Sequence, residues 1–138
     1  MKFKLILLLT LAIVHGHAQS VKQKDRYGNA IVFLDGATLK SKDRYGQALY
    51  YLDGQTIRRK DRYGEPMFYI DGATVRSKDK YGQALYYFDG LSVRRKDRYG
   101  ENLYFIDGQT LKSKDRYGQA IYYFEGIPEK WIIVCLIN

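Results

Sequence analysis

The sequence is poor in the residues that most enzymes use as nucleophiles and bases. It contains one cysteine, Cys135, and two histidines, His15 and His17, among 138 residues. One cysteine excludes an internal disulfide, and the shortage of histidine removes the usual nucleophile–base pairs of covalent catalysis. We therefore expect a protein that is not an enzyme and has no catalytic residue. No D-x-D ligand spacing indicates a calcium site, and we expect no metal ion or cofactor.

Long apolar runs are also scarce, and the longest lies at the amino terminus. Two lysines precede a mostly apolar stretch over residues 5–14, and small residues follow it. This pattern is typical of a secretory signal peptide, here residues 1–18, and the stretch is too short to span a membrane. We expect an exported protein, periplasmic or extracellular, whose mature chain begins at Gln19. Loss of the leader removes both histidines and lowers the formal net charge from +8 to +6.

The rest of the chain consists largely of an 18-residue unit that occurs six times without a gap. Its consensus is K-D-R-Y-G-x-A-x-Y-Y-x-D-G-x-T-x-(R/K)-(S/R). A fixed period indicates that one small element was copied and buries its surface against neighbouring copies. A single domain over residues 19–138 then contains the units 24–41, 42–59, 60–77, 78–95, 96–113 and 114–126, followed by a tail at 127–138.

Each unit has the pattern of a β-hairpin. In the second unit, the Asp-Arg-Tyr-Gly segment at 43–46 predicts a type I turn followed by a glycine in the left-handed region. The Asp-Gly pair at 53–54 predicts a two-residue type I′ turn, across which Leu52 faces Gln55. The residues beside these turns are strand formers, so each unit contains two strands of about six residues.

Alternation along these strands predicts two different faces. One face carries Tyr50, Leu52 and Ile57 and is assigned to the core, whereas the other is amphipathic. Twelve such strands in an open sheet would leave two exposed edges. We therefore expect an all-β fold without helices in which six hairpins close radially, like a flower or a small propeller. An outer-membrane barrel is excluded by strand length, because a spanning strand needs about 9–11 residues.

A second period overlies the first. The residue after Tyr-Gly is Gln in the second, fourth and sixth units and Glu in the third and fifth. The residue just before the first lysine of the unit varies in parallel: it is Ser where the unit has Gln and Arg where the unit has Glu. Charge compensation between Glu and Arg, within or between adjacent hairpins, is the simplest physical reason for this co-variation.

The tail departs from the repeat. After Glu125-Gly126, an Ile-Pro-Glu-Lys segment leads into seven apolar residues at 131–137. Seven residues are too few to cross a membrane as a helix, and an exposed apolar strand would aggregate. We expect a buried strand or plug that completes the fold. The alternative is an anchor to a membrane or a partner.

The hairpin units resemble the repeats of the bacterial beta-flower proteins. These small secreted chains are built from hairpins of the type D-x-x-G-x-x-x-Y-x-x-D-G-x-T-I-R, and they are described with four- or five-fold symmetry. The resemblance extends from Val21 to about Leu136 and includes Ile127-Pro128 and Trp131. It implies a secreted hairpin-repeat fold, here with six units, and no particular activity.

The amphipathic face is the candidate ligand-binding surface. Its aromatic and basic residues are Tyr51, Arg58, Tyr69, Arg76, Tyr87, Arg94, Phe105, Lys112 and Tyr123. Aromatic platforms between cations suit sugar rings and anionic polysaccharides. The alternative is that the arginine stems simply cover tyrosine rings within the protein.

Two functions are compatible with these patterns. The first is a non-enzymatic binding module for an anionic polymer or glycan of the cell envelope. The second is a purely structural protein that forms homo-oligomers through its apolar tail. Export argues against nucleic acid as a partner.

Overall fold

The computed structural model describes residues 18–138 as twelve strands and one helix. The strands are β1 (Ala18–Gln23), β2 (Ala30–Asp35), β3 (Thr38–Ser41), β4 (Ala48–Asp53), β5 (Thr56–Arg59), β6 (Pro66–Asp71), β7 (Thr74–Ser77), β8 (Ala84–Asp89), β9 (Ser92–Arg95), β10 (Asn102–Asp107), β11 (Thr110–Ser113) and β12 (Ala120–Phe124). The helix is α1 (Lys130–Ile137). The predicted leader lies outside the described residues, except that its last residue, Ala18, begins β1.

The twelve strands form one closed antiparallel barrel. Each strand is hydrogen-bonded to its neighbours in the chain, and β1 closes the ring by pairing with β12. The predictions of an all-β fold and of closure are confirmed. The hairpins are not separate petals, because neighbouring hairpins share backbone ladders such as β3–β4 and β5–β6. Closure of this kind removes the exposed edges that an open sheet would present.

Five tight turns connect strands at one end of the barrel, and each lies one residue further along the chain than predicted. Leu52 pairs with Ile57 instead of Gln55, so the two loop residues of this hairpin are Gly54 and Gln55. Gly54 has φ +66° and Gln55 has no positive φ, which corresponds to a type II′ turn and not to the predicted type I′ turn. The partner of Leu52 shifts by two residues, and because side chains alternate, Leu52 and Ile57 keep their predicted face. Leu49, which alternation assigns to the outer face, instead packs against the core at a register shift between β3 and β4.

Six longer loops lie at the opposite end of the barrel, and each contains the pentapeptide Lys-Asp-(Arg/Lys)-Tyr-Gly. We call these six pentapeptides the crown; they are residues 24–28, 42–46, 60–64, 78–82, 96–100 and 114–118. The predicted type I turn is confirmed. The Gly46 amide donates to the Asp43 carbonyl, and the Tyr45 amide donates to the Asp43 carboxylate, at 2.9 Å in each case.

The predicted conformation of the crown glycine is wrong. The residue in the left-handed region is Lys42, with φ 65°, and Gly46 has no positive φ. Glycine is required at this position for a different reason: a Cβ on Gly46 would lie 1.6 Å from the Ser41 carbonyl oxygen. A close approach of two backbone segments therefore selects the glycine.

The tail forms a helix, which the sequence did not predict. Ile132, Ile133 and Val134 of α1 are fully buried, and they share one apolar cluster with inward side chains from β1, β5, β9 and β12. The expected burial of the tail is observed, but the expected strand is wrong. A closed barrel offers no free strand edge, so a buried segment must satisfy its backbone groups internally, and a helix does so.

The barrel is closed by its own amino-terminal segment. The sequence Gln-Ser-Val-Lys-Gln-Lys at 19–24 matches the return strand Gln-Thr-Ile-Arg-Arg-Lys at 55–60 position by position. Val21 pairs with Phe124 and is fully buried. Lys22 forms an ion pair with Glu125 at 2.8 Å. Arg58, at the same position of its return strand, forms an ion pair with Asp53. β1 therefore supplies the return strand that the sixth unit lacks, and the pattern of two strands per unit does not predict it.

We expect the seam between β1 and β12 to carry as much stability as an internal pair of strands. Val21→Ala should lower the free energy of unfolding by about 2 kcal/mol, because it removes buried methyl groups. Val75→Ala is the matched control, since Val75 occupies the same position of an internal return strand and is equally buried. Chemical denaturation measures both variants. A neutral Val21→Ala beside a destabilised Val75→Ala would contradict closure by β1.

Candidate binding surface

The residues of the predicted amphipathic face lie together on the outer wall of the barrel. Tyr51 and Arg58 are direct cross-strand partners. The same pairing joins Tyr69 with Arg76, Tyr87 with Arg94, and Phe105 with Lys112. Tyr123 faces Lys22 of β1 across the seam. The structure therefore brings all nine predicted residues onto one continuous surface, which we call the wall; it also includes Lys22 and Lys40, which occupy the same position in β1 and β3.

The cations of the wall are bound by acceptors within the protein. The Arg58 Nε lies 2.9 Å from the Asp53 carboxylate, and its Nη1 donates to the Gly64 carbonyl at 3.0 Å. Six equivalent ion pairs surround the barrel: Lys22–Glu125, Lys40–Asp35, Arg58–Asp53, Arg76–Asp71, Arg94–Asp89 and Lys112–Asp107. The wall is therefore electrically balanced, and an incoming anion must compete with a carboxylate for every cation.

The wall cations also hold the crown in place. Arg58 donates a hydrogen bond to the carbonyl of Gly64, the last residue of the third crown pentapeptide. Lys40 donates to the Arg44 carbonyl of the second pentapeptide at 3.1 Å. Arg76 and Arg94 bond crown glycines in the same way as Arg58. Each of these side chains thus links an aspartate before a tight turn to a crown loop at the other end of the barrel.

The co-varying Glu and Arg residues form ion pairs across the base of single crown loops. Arg59 lies 3.3 Å from Glu65, and Arg95 lies 3.0 Å from Glu101. In the second loop the Ser41 hydroxyl instead accepts a hydrogen bond from the backbone amide of Gln47 at 3.2 Å. The predicted charge compensation is confirmed, and it acts within one loop.

The crown carries the whole net charge of residues 18–138. Its six pentapeptides contain twelve Lys or Arg residues against six Asp, which gives +6. The remaining described residues contain nine basic and nine acidic side chains and sum to zero. The positive field is therefore concentrated at one end of the barrel, where it can attract anionic ligands.

Each crown pentapeptide also exposes a tyrosine. The six side chains are between 83% and 87% exposed, far more than the tyrosines of the wall. Cations lie near the rings: Arg98 is 5.2 Å from the ring centroid of Tyr99, and Arg62 is 5.5 Å from that of Tyr63. The sequence contained a signal for this surface, because a type I turn requires neither the tyrosine nor the arginine at these positions.

Two open grooves lie between neighbouring crown loops. One groove of about 610 Å³ lies between the first and last loops, and its lining includes Lys24, Tyr27 and Gln119. Another of about 450 Å³ lies between the fourth and fifth loops and is lined in part by Arg95 and Lys96. Cations, amides and an aromatic ring therefore meet in clefts between loops.

The single thiol lies away from the crown and the wall. Cys135 is buried in α1, and burial raises its pKa well above the ordinary value because the thiolate would lose its hydration. Burial likewise raises the pKa of Tyr50 and of Tyr86. Cys135 is therefore a neutral, packed side chain at physiological pH, and thiolate chemistry is not available to it.

We expect Cys135 to react with iodoacetamide only when the barrel opens. Native protein at pH 8 should remain unlabelled over a period in which protein in 6 M guanidinium is fully labelled, because neither the thiolate nor access to the sulfur is available. Mass spectrometry measures the labelled fraction. Rapid labelling of native protein would contradict the buried position of α1.

Comparisons of the chain with protein-family models, with characterised proteins and with solved structures find no match. Within residues 18–138, no group of three or more His, Cys, Asp or Glu side chains is arranged to hold a metal ion. No helix in that part of the chain is long and apolar enough to cross a membrane.

Proposed function

We propose that this protein is a non-enzymatic binding module for an anionic polysaccharide of the cell envelope, and that the crown is its binding surface. The observation that carries this proposal is the separation of charge along the barrel axis. The wall neutralises its own cations, whereas the crown holds the entire excess of positive charge together with six exposed tyrosines.

The chemistry of the crown suits acidic sugars. Tyrosine rings offer flat apolar surfaces against which the C–H faces of sugar rings can pack, and Lys and Arg bind carboxylate, sulfate or phosphate groups. Six similar loops also allow one polymer to contact several sites at once. Linked contacts raise the overall affinity far above that of one site, provided that the spacing of the polymer matches.

The wall has a supporting role in this proposal. Its arginines are already paired with aspartates and donate to crown carbonyls, so they position the crown loops and do not serve as the main ligands. The predicted leader and the resemblance to secreted beta-flower proteins support a site of action outside the cytoplasm, in the periplasm or beyond the cell.

We expect crown cations to matter more for binding than wall cations. Arg62→Gln with Arg98→Gln should elute from an alginate column at a lower NaCl concentration than the parent, because two unpaired cations are lost. Arg58→Gln with Arg94→Gln changes the net charge by the same amount and should elute between the parent and the crown variant, because these arginines are already paired with aspartates and act on the ligand only through the crown loops that they position. If the wall variant elutes at a lower NaCl concentration than the crown variant, the binding site lies on the wall. Failure of the parent to bind alginate, lipopolysaccharide or peptidoglycan would refute the proposed function.

The competing proposal is a structural protein that assembles through its tail. The burial of Trp131 and of Ile132–Val134 supports an internal role for α1, as a plug that fills the barrel and completes its core. Ile127 is the apolar residue of the tail that remains exposed, at 73%. The tail therefore offers a buried and an exposed isoleucine whose substitution separates the two proposals.

We expect Ile133→Asp to prevent folding or to cost more than about 3 kcal/mol, because it places a charge in the core. Ile127→Asp should change the free energy of unfolding by less than about 0.5 kcal/mol. Thermal unfolding and size-exclusion chromatography test both variants. A folded Ile133→Asp protein, or an oligomer that Ile127→Asp dissociates, would favour assembly through the tail.

A further inference from the structure

The first residue of every crown pentapeptide is a lysine in the left-handed region. Its φ lies between 65° and 70° in all six loops, at Lys24, Lys42, Lys60, Lys78, Lys96 and Lys114. This conformation brings Cβ close to the carbonyl oxygen and is unfavourable for residues other than glycine, with asparagine and aspartate the best tolerated. Strained backbone of this kind is concentrated at functional sites.

The backbone requires this conformation, but it does not require lysine. The Lys96 amide donates to the Leu85 carbonyl at 2.8 Å, at the point where the register between β7 and β8 shifts. Each of the other five lysines makes the same bond to the strand that is paired with the strand it follows. Glycine or asparagine would form this bond with less strain. The presence of a lysine side chain six times therefore needs a separate reason.

The six lysine ammonium groups differ from the cations outside the crown. Within residues 18–138 none of them forms an ion pair or donates a hydrogen bond to the protein. Each of the nine cations outside the crown, in contrast, has an acceptor: eight form ion pairs, and Lys130 donates to the Gly72 carbonyl at 2.8 Å. The crown lysines, like the crown arginines, are thus free to bind an external anion, and Lys24 and Lys96 are the unpaired cations that line the two grooves.

In the grooves, these lysines lie beside amide, apolar and aromatic side chains that can contact a sugar ring. Lys96 lines one groove with Gln83 and the apolar Leu85, and Lys24 lines another with Gln119 and Tyr27. We propose that each groove between neighbouring crown loops is a subsite for one acidic sugar residue, whose carboxylate, sulfate or phosphate binds the left-handed lysine. This inference rests on the proposed function and assigns its ligand-contacting cation.

The subsites are not equivalent. Glu65 and Glu101 occupy the positions in their units that Gln83 and Gln119 occupy in theirs, so the repeat places them in the grooves of Lys78 and Lys114. Each of these carboxylates pairs with Arg59 or Arg95 across its own loop, which lowers its repulsion of an anionic ligand without removing it, so we expect those two subsites to be weaker. Lys96 and Lys78 have the same φ of 67° but differ in this neighbour and in the preceding residue, which is Arg95 or Ser77, so their comparison tests the charge of the whole groove.

The test compares two double variants of the full chain. Lys24→Asn with Lys96→Asn should reduce the affinity for alginate oligosaccharides roughly tenfold or more, because two charge-assisted contacts are lost. Lys78→Asn with Lys114→Asn removes the same charge and should reduce it less than about threefold, since these lysines face a carboxylate. Both proteins should melt at or above the temperature of the parent, because asparagine relieves strain at positive φ. Isothermal titration calorimetry and thermal unfolding measure these effects.

Each other result overturns the inference. Full affinity of the Lys24/Lys96 variant, with a parent that binds, would show that these lysines are not ligands. Equal losses in both variants would indicate a diffuse charge effect without groove subsites. A lower melting temperature would assign the lysines a structural role. If the parent binds no acidic polymer, the proposed function itself fails, and this outcome is distinguishable from the other three.

Discussion

The pairing of β1 with β12 is the constraint on which the rest of this structure depends. Every other pair of neighbouring strands is joined by a short loop, but the seam is held by backbone bonds, the buried Val21 and the Lys22–Glu125 ion pair. Without it, β1 and β12 would be open edges and α1 would lose part of its apolar surroundings. The groove between the first and last crown loops would also be lost, because these loops meet across this seam.

The closed barrel separates the apolar core from the excess positive charge. Inward side chains and α1 supply the apolar burial that stabilises the fold. Exposed ion pairs such as Arg58–Asp53 contribute little stability individually, about 0–1 kcal/mol each, so their main effects are to balance charge and to position the crown loops. The crown loops make turns that need Asp and Gly, and their Lys, Arg and Tyr side chains remain available to a ligand.

The sequence predicted the local pattern well and the closure of the ends poorly. The alternation of side chains was sufficient to assign Tyr50, Leu52 and Ile57 to the core, because a shift of two residues in register leaves a side chain on the same face of the sheet. The left-handed Lys42 was not predictable, since propensity rules assign that conformation to the nearby Gly46. The helical tail follows only once the barrel is known to be closed. The strand β1 could have been predicted, because residues 19–24 match the sequence of the return strands. The crown was not predicted as a binding surface, because its Asp and Gly residues were explained by the turns alone.

The central claim is that an acidic polysaccharide contacts the crown and not the wall. Backbone amide NMR during titration with alginate oligosaccharides tests this most directly, because it reports each residue separately. We expect the largest shift changes at the crown amides, such as those of Tyr99 and Gly100, with small changes at Tyr51 and Tyr87 on the wall. Changes centred on the wall, or spread evenly over the barrel, would contradict the claim.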